Sequence, residues 1–65
     1  MLIKYKMSRD RFFKAYVNLP TPERSQVIAV VEGIPYSWNV AYSEISSNTE
    51  LGKKILKKME LLKIL

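Results

Sequence analysis

The C-terminal segment of the chain, residues 49–65, combines apolar residues and lysines at helical spacing. At about 100° per residue, its apolar side chains gather on one side of a helix. That apolar stripe consists of Leu51, Ile55, Met59 and Leu62, with Gly52 and Leu56 beside it. The other side carries Lys53, Lys54, Lys57 and Lys58. The pattern predicts a basic amphipathic helix over residues 49–62, followed by a short extended tail.

This helix has a clear start signal. Asn48 or Thr49 is suited to cap it, because a side-chain oxygen at that position accepts a hydrogen bond from a free backbone N–H. Glu50 then lies in the first turn, where the helix dipole favours negative charge.

The N-terminal part shows two different patterns. Over residues 1–7, apolar residues at the odd positions alternate with lysines, which predicts a short edge strand or an unstructured arm. Over residues 8–17, aromatic and apolar residues recur at three- and four-residue spacings, which predicts a helix capped by Ser8. The pair Phe12 and Tyr16 stands one helical turn apart, and we interpret these rings as core rather than as a nucleobase platform.

The central part predicts a β-hairpin. Thr21-Pro22-Glu23 is typical of a helix start, yet a β-branched run, residues 27–31, follows almost at once. A single helical turn leading into a buried strand is therefore expected. Glu32-Gly33 predicts a tight reversal, and Pro35 assigns the return strand to a sheet edge because it cannot donate a ladder hydrogen bond. The hairpin is predicted over residues 27–36.

A further helix is predicted over residues 37–46, with Ser37 as its cap. Its apolar side is formed by Trp38, Ala41, Tyr42 and Ile45. The expected order is then strand or arm, helix, hairpin, helix and basic helix. This order predicts a small α+β fold in a single domain, residues 1–65, with no linker or internal repeat to divide it.

Charge is spread unevenly along the 65 residues. The formal net charge is +5, but residues 1–14 sum to +4, residues 15–50 to −3 and residues 51–65 to +4. If the fold joins the two basic ends, they form a surface that suits nucleic acid, an acidic protein or simple solvation. The candidate nucleic-acid-binding residues are Lys53, Lys54, Lys57, Lys58, Arg9, Arg11 and Lys14.

The composition argues against an enzyme. Without histidine or cysteine, the chain has no ready general base at neutral pH, no usual activator for a serine nucleophile and no usual zinc or haem ligand. The six acidic residues are scattered, and with two glycines there is no glycine-rich phosphate loop. We therefore expect a non-catalytic protein with no cofactor and no metal.

Other expectations follow from what the chain lacks. No stretch approaches the roughly 18 apolar residues of a membrane span, and no secretory signal is recognisable, so we expect no membrane association and a cytoplasmic location. A core from so short a chain gives a thin stability margin, and the absence of disulfides makes a homodimer attractive.

Residues 42–65 resemble the second and third helices of winged-helix, helix-turn-helix transcription factors. The resemblance is carried by Tyr42-Ser43-Glu44-Ile45, Asn48-Thr49-Glu50-Leu51 and the leucine-lysine run of residues 56–65. It implies that Lys53, Lys54 and Lys57 lie on the groove-facing side of a recognition helix and hold phosphates. The segment between Leu51 and Leu56 is shorter than in that family, and the upstream hairpin would have to replace the wing.

Taken whole, the chain also resembles small uncharacterised proteins of heat-loving archaea, a likeness that implies no activity. It is carried by Asn18-Leu19-Pro20, Pro35-Tyr36-Ser37-Trp38, Ala41-Tyr42 and residues 51–58. Lysine and isoleucine richness without cysteine agrees with a thermophilic source.

Two functional hypotheses remain from the sequence. In the first, the protein binds nucleic acid through the lysine side of the C-terminal helix, and binding falls steeply with salt. In the second, it is a protein-interaction or self-assembly module whose contacts are apolar, and the lysines are solvated. Trp38 is then either a core residue or a contact anchor, with core the favoured interpretation.

Overall fold

A computed structural model describes the backbone of residues 2–64 and the side chains of residues 7–64. It contains helices and one antiparallel hairpin, so the predicted α+β class is confirmed, as is the order helix, hairpin, helix, helix. The elements are α1 (Leu2–Val17), a 3-10 helix (Thr21–Ser25), β1 (Val27–Val31), β2 (Ile34–Ser37), α2 (Trp38–Ser46) and α3 (Glu50–Leu61).

The first helix is longer than predicted. α1 begins at Leu2, so the arm or edge strand expected over residues 1–7 is wrong for residues 2–7, and Met1 lies outside the described residues. The chain contains no glycine or proline before Pro20, and adding residues to an existing helix costs little once its first turn has formed. Ser8 is not a cap: it is buried inside the helix, one turn before Phe12.

The hairpin reverses where the sequence predicts. Glu32 and Gly33 both have positive φ, 53° and 79°, as a type I′ turn requires. Val31 pairs with Ile34 and Ala29 with Tyr36, and a bulge between Val27 and Ala29 shifts the register.

The first strand is only half-buried, in contrast to the buried strand expected. Ala29 is buried, while the side chains of Val27 and Val30 are 58% and 48% exposed. A two-stranded sheet packs one face on the core and leaves the other in water, so apolar composition alone did not distinguish the two faces. The 3-10 helix before it begins at Thr21 itself, which therefore makes no side-chain cap.

One short turn joins the last two helices. The N–H of Asn48 donates to the Ile45 carbonyl at 3.1 Å, the N–H of Thr49 donates to the Glu44 carbonyl at 3.2 Å, and Asn48 has a φ of 55°. This is a Schellman motif with Asn48 in the left-handed position that glycine usually takes. The hydroxyl of Thr49 also accepts from the Gly52 N–H at 2.9 Å, so Thr49 ends one helix and caps the next.

A second Schellman motif ends α3. The N–H of Lys63 donates to the Glu60 carbonyl, that of Ile64 donates to the Met59 carbonyl, and Lys63 has a φ of 57°. Lys63 therefore turns rather than continuing as the extended tail that was expected, and Leu62, predicted to lie in the apolar stripe, is 53% exposed. Leu65 lies outside the described residues.

The core lies where the three helices meet, and the hairpin packs against its margin. Ser37 caps α2 as predicted, accepting from the Val40 N–H at 3.3 Å. The central cluster is fully buried and consists of Phe12, Ala41, Ile45, Ile55, Leu56 and Met59.

Candidate nucleic-acid interface

The lysine side of α3 faces solvent. Opposite the buried Ile55, Leu56 and Met59, four lysines lie exposed along the helix. They are Lys53, Lys54, Lys57 and Lys58. The helix is fixed at its start by the Thr49 cap and at its end by the Schellman motif, so the lysine row has a defined direction in the fold.

Two of these lysines make ion pairs within the chain. The ammonium of Lys53 lies 3.5 Å from a carboxylate oxygen of Glu50, an i, i+3 contact on an exposed surface. The ammonium of Lys54 donates to the Glu32 carboxylate at 2.9 Å, across 22 residues of sequence. This hydrogen bond, together with the attraction between the two charges, raises the pKa of Lys54 above its ordinary value. Because both partners are exposed, the pair contributes little to stability.

An open groove runs between α3 and the turn end of the hairpin. One side is formed by Val30, Val31 and Glu32, and the other by Lys54, Lys57, Lys58 and Leu61. Its base is therefore apolar and its rim is basic, with one acidic group at the turn. Leu61 is 70% exposed, so this apolar surface is open to water.

The other candidate cations lie on α1. Arg11 and Lys14 are exposed there, whereas Arg9 is partly buried, with its guanidinium carbon 4.9 Å from the centre of the Phe13 ring. The described groove is lined only by β1, the hairpin turn and α3. The structure thus brings three of the α3 lysines together in one groove and assigns Arg9 a packing contact.

A row of stacked side chains, which the sequence did not predict, holds α1, α2 and the 3-10 helix together. The guanidinium of Arg24 lies 4.4 Å from the Tyr16 ring centre, and that ring stacks on Tyr42 at 4.5 Å. The Tyr16 hydroxyl donates to the Asn39 side chain at 2.8 Å. Stacking of this kind requires contacts between residues far apart in sequence, and no local pattern signals it.

Trp38 packs rather than projects. It is partly buried, and its ring stacks on Phe12 with 5.6 Å between the centroids. This position supports the interpretation of Trp38 as a core residue.

None of the helices within residues 2–64 is long and apolar enough to cross a membrane. Among the side chains that the structure describes, no three acidic residues gather as a metal site would require. Comparison with protein-family models, with curated proteins and with solved structures gave no significant match.

Proposed function

We propose that the protein binds nucleic acid without catalysis, holding phosphates with the lysine row of α3. The observation that carries the proposal is the exposure of four lysines on one side of a single, well-capped helix. Phosphate contacts by lysine provide affinity and position, whereas base readout depends on side chains such as arginine and asparagine. The proposed binding is therefore largely independent of sequence, and a cytoplasmic location is part of the same proposal.

The arrangement of α2 and α3 supports this proposal. A turn of Ser47, Asn48 and Thr49 joins the two helices, a length typical of helix-turn-helix units. Glu32 lies at the hairpin turn, beside Lys54, where a wing would approach a phosphate backbone. A carboxylate there repels phosphates, so we assign the contacts to α3 and not to the hairpin.

The test is binding of a fluorescein-labelled random 20-base-pair duplex, measured by anisotropy over a series of salt concentrations. If three or four phosphates are neutralised, log K against log salt should have a slope of roughly −3. Changing Lys53 and Lys57 to glutamate should abolish binding, because each change replaces a cation that holds phosphate with an anion that repels it. Both side chains are exposed, so we expect the helix to remain folded.

The matched control changes Arg11 and Lys14 to glutamate, which alters the net charge equally on α1. If this control weakens binding as much as the α3 double variant does, binding follows net charge and the assignment to α3 is wrong. Unchanged binding by the α3 variant contradicts the proposal directly. Light scattering on the same samples tests the predicted homodimer.

A further inference from the structure

The groove between β1 and α3 has features that nucleic acid does not use. The base of the groove is apolar and a β-strand lies beside it. A phosphate backbone has no apolar side chains to cover that base and no peptide groups to pair with the strand. Val30 and Val31 both line it, although consecutive strand residues point to opposite faces of a sheet. A groove that touches both, and also the turn residue Glu32, lies at the edge of β1 next to the turn.

That edge has no strand paired to it within the described sheet. In the described sheet, β1 pairs only with β2. Val30 stands opposite Pro35, which has no N–H and therefore cannot exchange two hydrogen bonds with it. In an antiparallel ladder, such a residue directs its own N–H and C=O away from its partner strand. The backbone of Val30 is therefore directed toward the free edge of β1.

The rim of the groove carries three lysines against one carboxylate, that of Glu32, so positive charge remains in excess there. Lys54 donates one hydrogen bond to Glu32 at 2.9 Å, and its ammonium has two further N–H donors for another carboxylate. Lys58 follows Lys54 by one helical turn, about 6 Å along the axis. Carboxylates on alternate residues of an extended segment are about 7 Å apart, which matches this lysine spacing.

We propose that the groove binds an extended protein segment in which acidic and apolar residues alternate, and that the segment pairs with the free edge of β1. The carboxylates contact Lys54, Lys57 and Lys58, and the apolar side chains cover Val30 and Leu61. From Lys54 to Leu61 the helix rises about 10 Å, so the groove takes roughly three residues of extended chain. Strand addition supplies main-chain hydrogen bonds, and the basic rim selects for acidic partners.

The probe is a fluorescein-labelled hexapeptide of alternating glutamate and valine, with anisotropy as the readout. For so short and flexible a ligand, we expect a Kd on the order of 100 µM. Two control peptides separate the contributions. One replaces valine with serine and keeps the charge, and the other keeps every side chain but carries N-methyl groups on its two central amides. Each should bind at least about threefold more weakly, because one lacks apolar contact and the other lacks donors for the strand edge.

Variants of the protein give a second measure. Leu61→Ser should weaken the peptide about threefold or more, whereas Val17→Ser, at a similarly exposed site on α1, should leave binding unchanged. Hydrogen exchange followed by NMR should show the Val30 amide becoming protected when the peptide binds.

The outcomes are decisive in each direction. Equal binding of all three peptides, or an unprotected Val30 amide in the complex, would overturn strand addition and leave only charge attraction. Duplex DNA binding without peptide binding would refute this inference and leave the proposed function standing. Peptide binding without DNA binding would support this inference and refute the proposed function, because pairing with the strand edge does not depend on phosphate contacts.

Discussion

Replacing Gly52 with alanine tests how closely α2 and α3 approach each other. An ideal Cβ at Gly52 would lie 2.5 Å from the Glu44 carbonyl oxygen, 2.6 Å from its carbonyl carbon and 2.9 Å from the Ile45 nitrogen. All three are backbone atoms, so no side-chain rotation can relieve the contact. The two helices would have to separate, which loosens the packing of the buried side chains between them.

Two opposing contributions decide the sign of the effect. Alanine inside a helix is favoured over glycine by about 1 kcal/mol. Forcing an extra carbon into a packed interior costs about 1–3 kcal/mol, and the upper end applies here because the neighbours are backbone. We therefore expect a net loss of about 2 kcal/mol from a total of roughly 3–10 kcal/mol for a chain of this length. The melting temperature should fall by about 8–16 °C.

Thermal and urea unfolding followed by circular dichroism provide the measurement. Lys53→Ala, at the neighbouring exposed position, is the control and should change stability by no more than about 0.5 kcal/mol. A Gly52→Ala protein as stable as the parent, or more stable, would show that helix propensity outweighs the contact. The close approach of α2 and α3 would then be incorrect.

Three further substitutions test other parts of the structure. Thr49→Ala removes the cap of α3 and a 2.6 Å hydrogen bond to the Glu44 carboxylate, so it should cost about 1–2 kcal/mol in urea unfolding, while Thr49→Ser should restore most of it. Glu32→Gln should lower the pKa of Lys54 toward its ordinary value of 10.5 in an NMR titration. Because that pKa is raised in the folded state, the stabilising effect of the pair is complete below the unfolded-state pKa of lysine and is lost as pH rises through the folded-state pKa. Phe12→Ala should cost about 3–5 kcal/mol, since the ring is fully buried, and this loss should leave much of the protein unfolded at 37 °C by circular dichroism.

Local signals predicted the C-terminal half of the fold well. Thr49 is followed by a run of good helix formers with an apolar stripe, and the cap observed, Thr49, is one of the two that the sequence allows. Glu32-Gly33 predicted the reversal because glycine readily adopts the positive φ that the turn requires. In each case a few adjacent residues contain the necessary information.

The start of α1 could not be predicted from local signals. Alternation over a few residues at the N-terminus fits a strand, but the same residues are compatible with a helix that extends from residues 8–17. Ser8 is chemically suited to a cap, yet in α1 it lies on the buried side with Phe12. The choice depends on tertiary packing, which a local pattern does not contain.

One part of the candidate site could likewise be predicted from the sequence, and another part could not. The lysine row of α3 follows from helical periodicity, whereas the groove lies between α3 and the hairpin, two elements far apart in sequence, where Lys54 meets Glu32 across 22 residues. Gly52 illustrates the difference: in the sequence it is a small residue beside the stripe, and only the approach of the α2 backbone shows that a side chain there would collide with it. Both the groove and the tight position of Gly52 depend on the distance between elements, which a local sequence pattern does not contain.

The two proposals therefore depend differently on how α3 is positioned. Phosphate binding needs only that the lysines remain exposed on an intact helix, so a small shift of α3 should change duplex affinity little. Strand addition needs the present spacing between α3 and β1, because the peptide must reach the β1 edge and the lysine rim at once. In Gly52→Ala protein kept folded at low temperature, we expect duplex binding to persist and peptide binding to weaken. Equal losses of both would contradict the argument that only peptide binding depends on the spacing between α3 and β1.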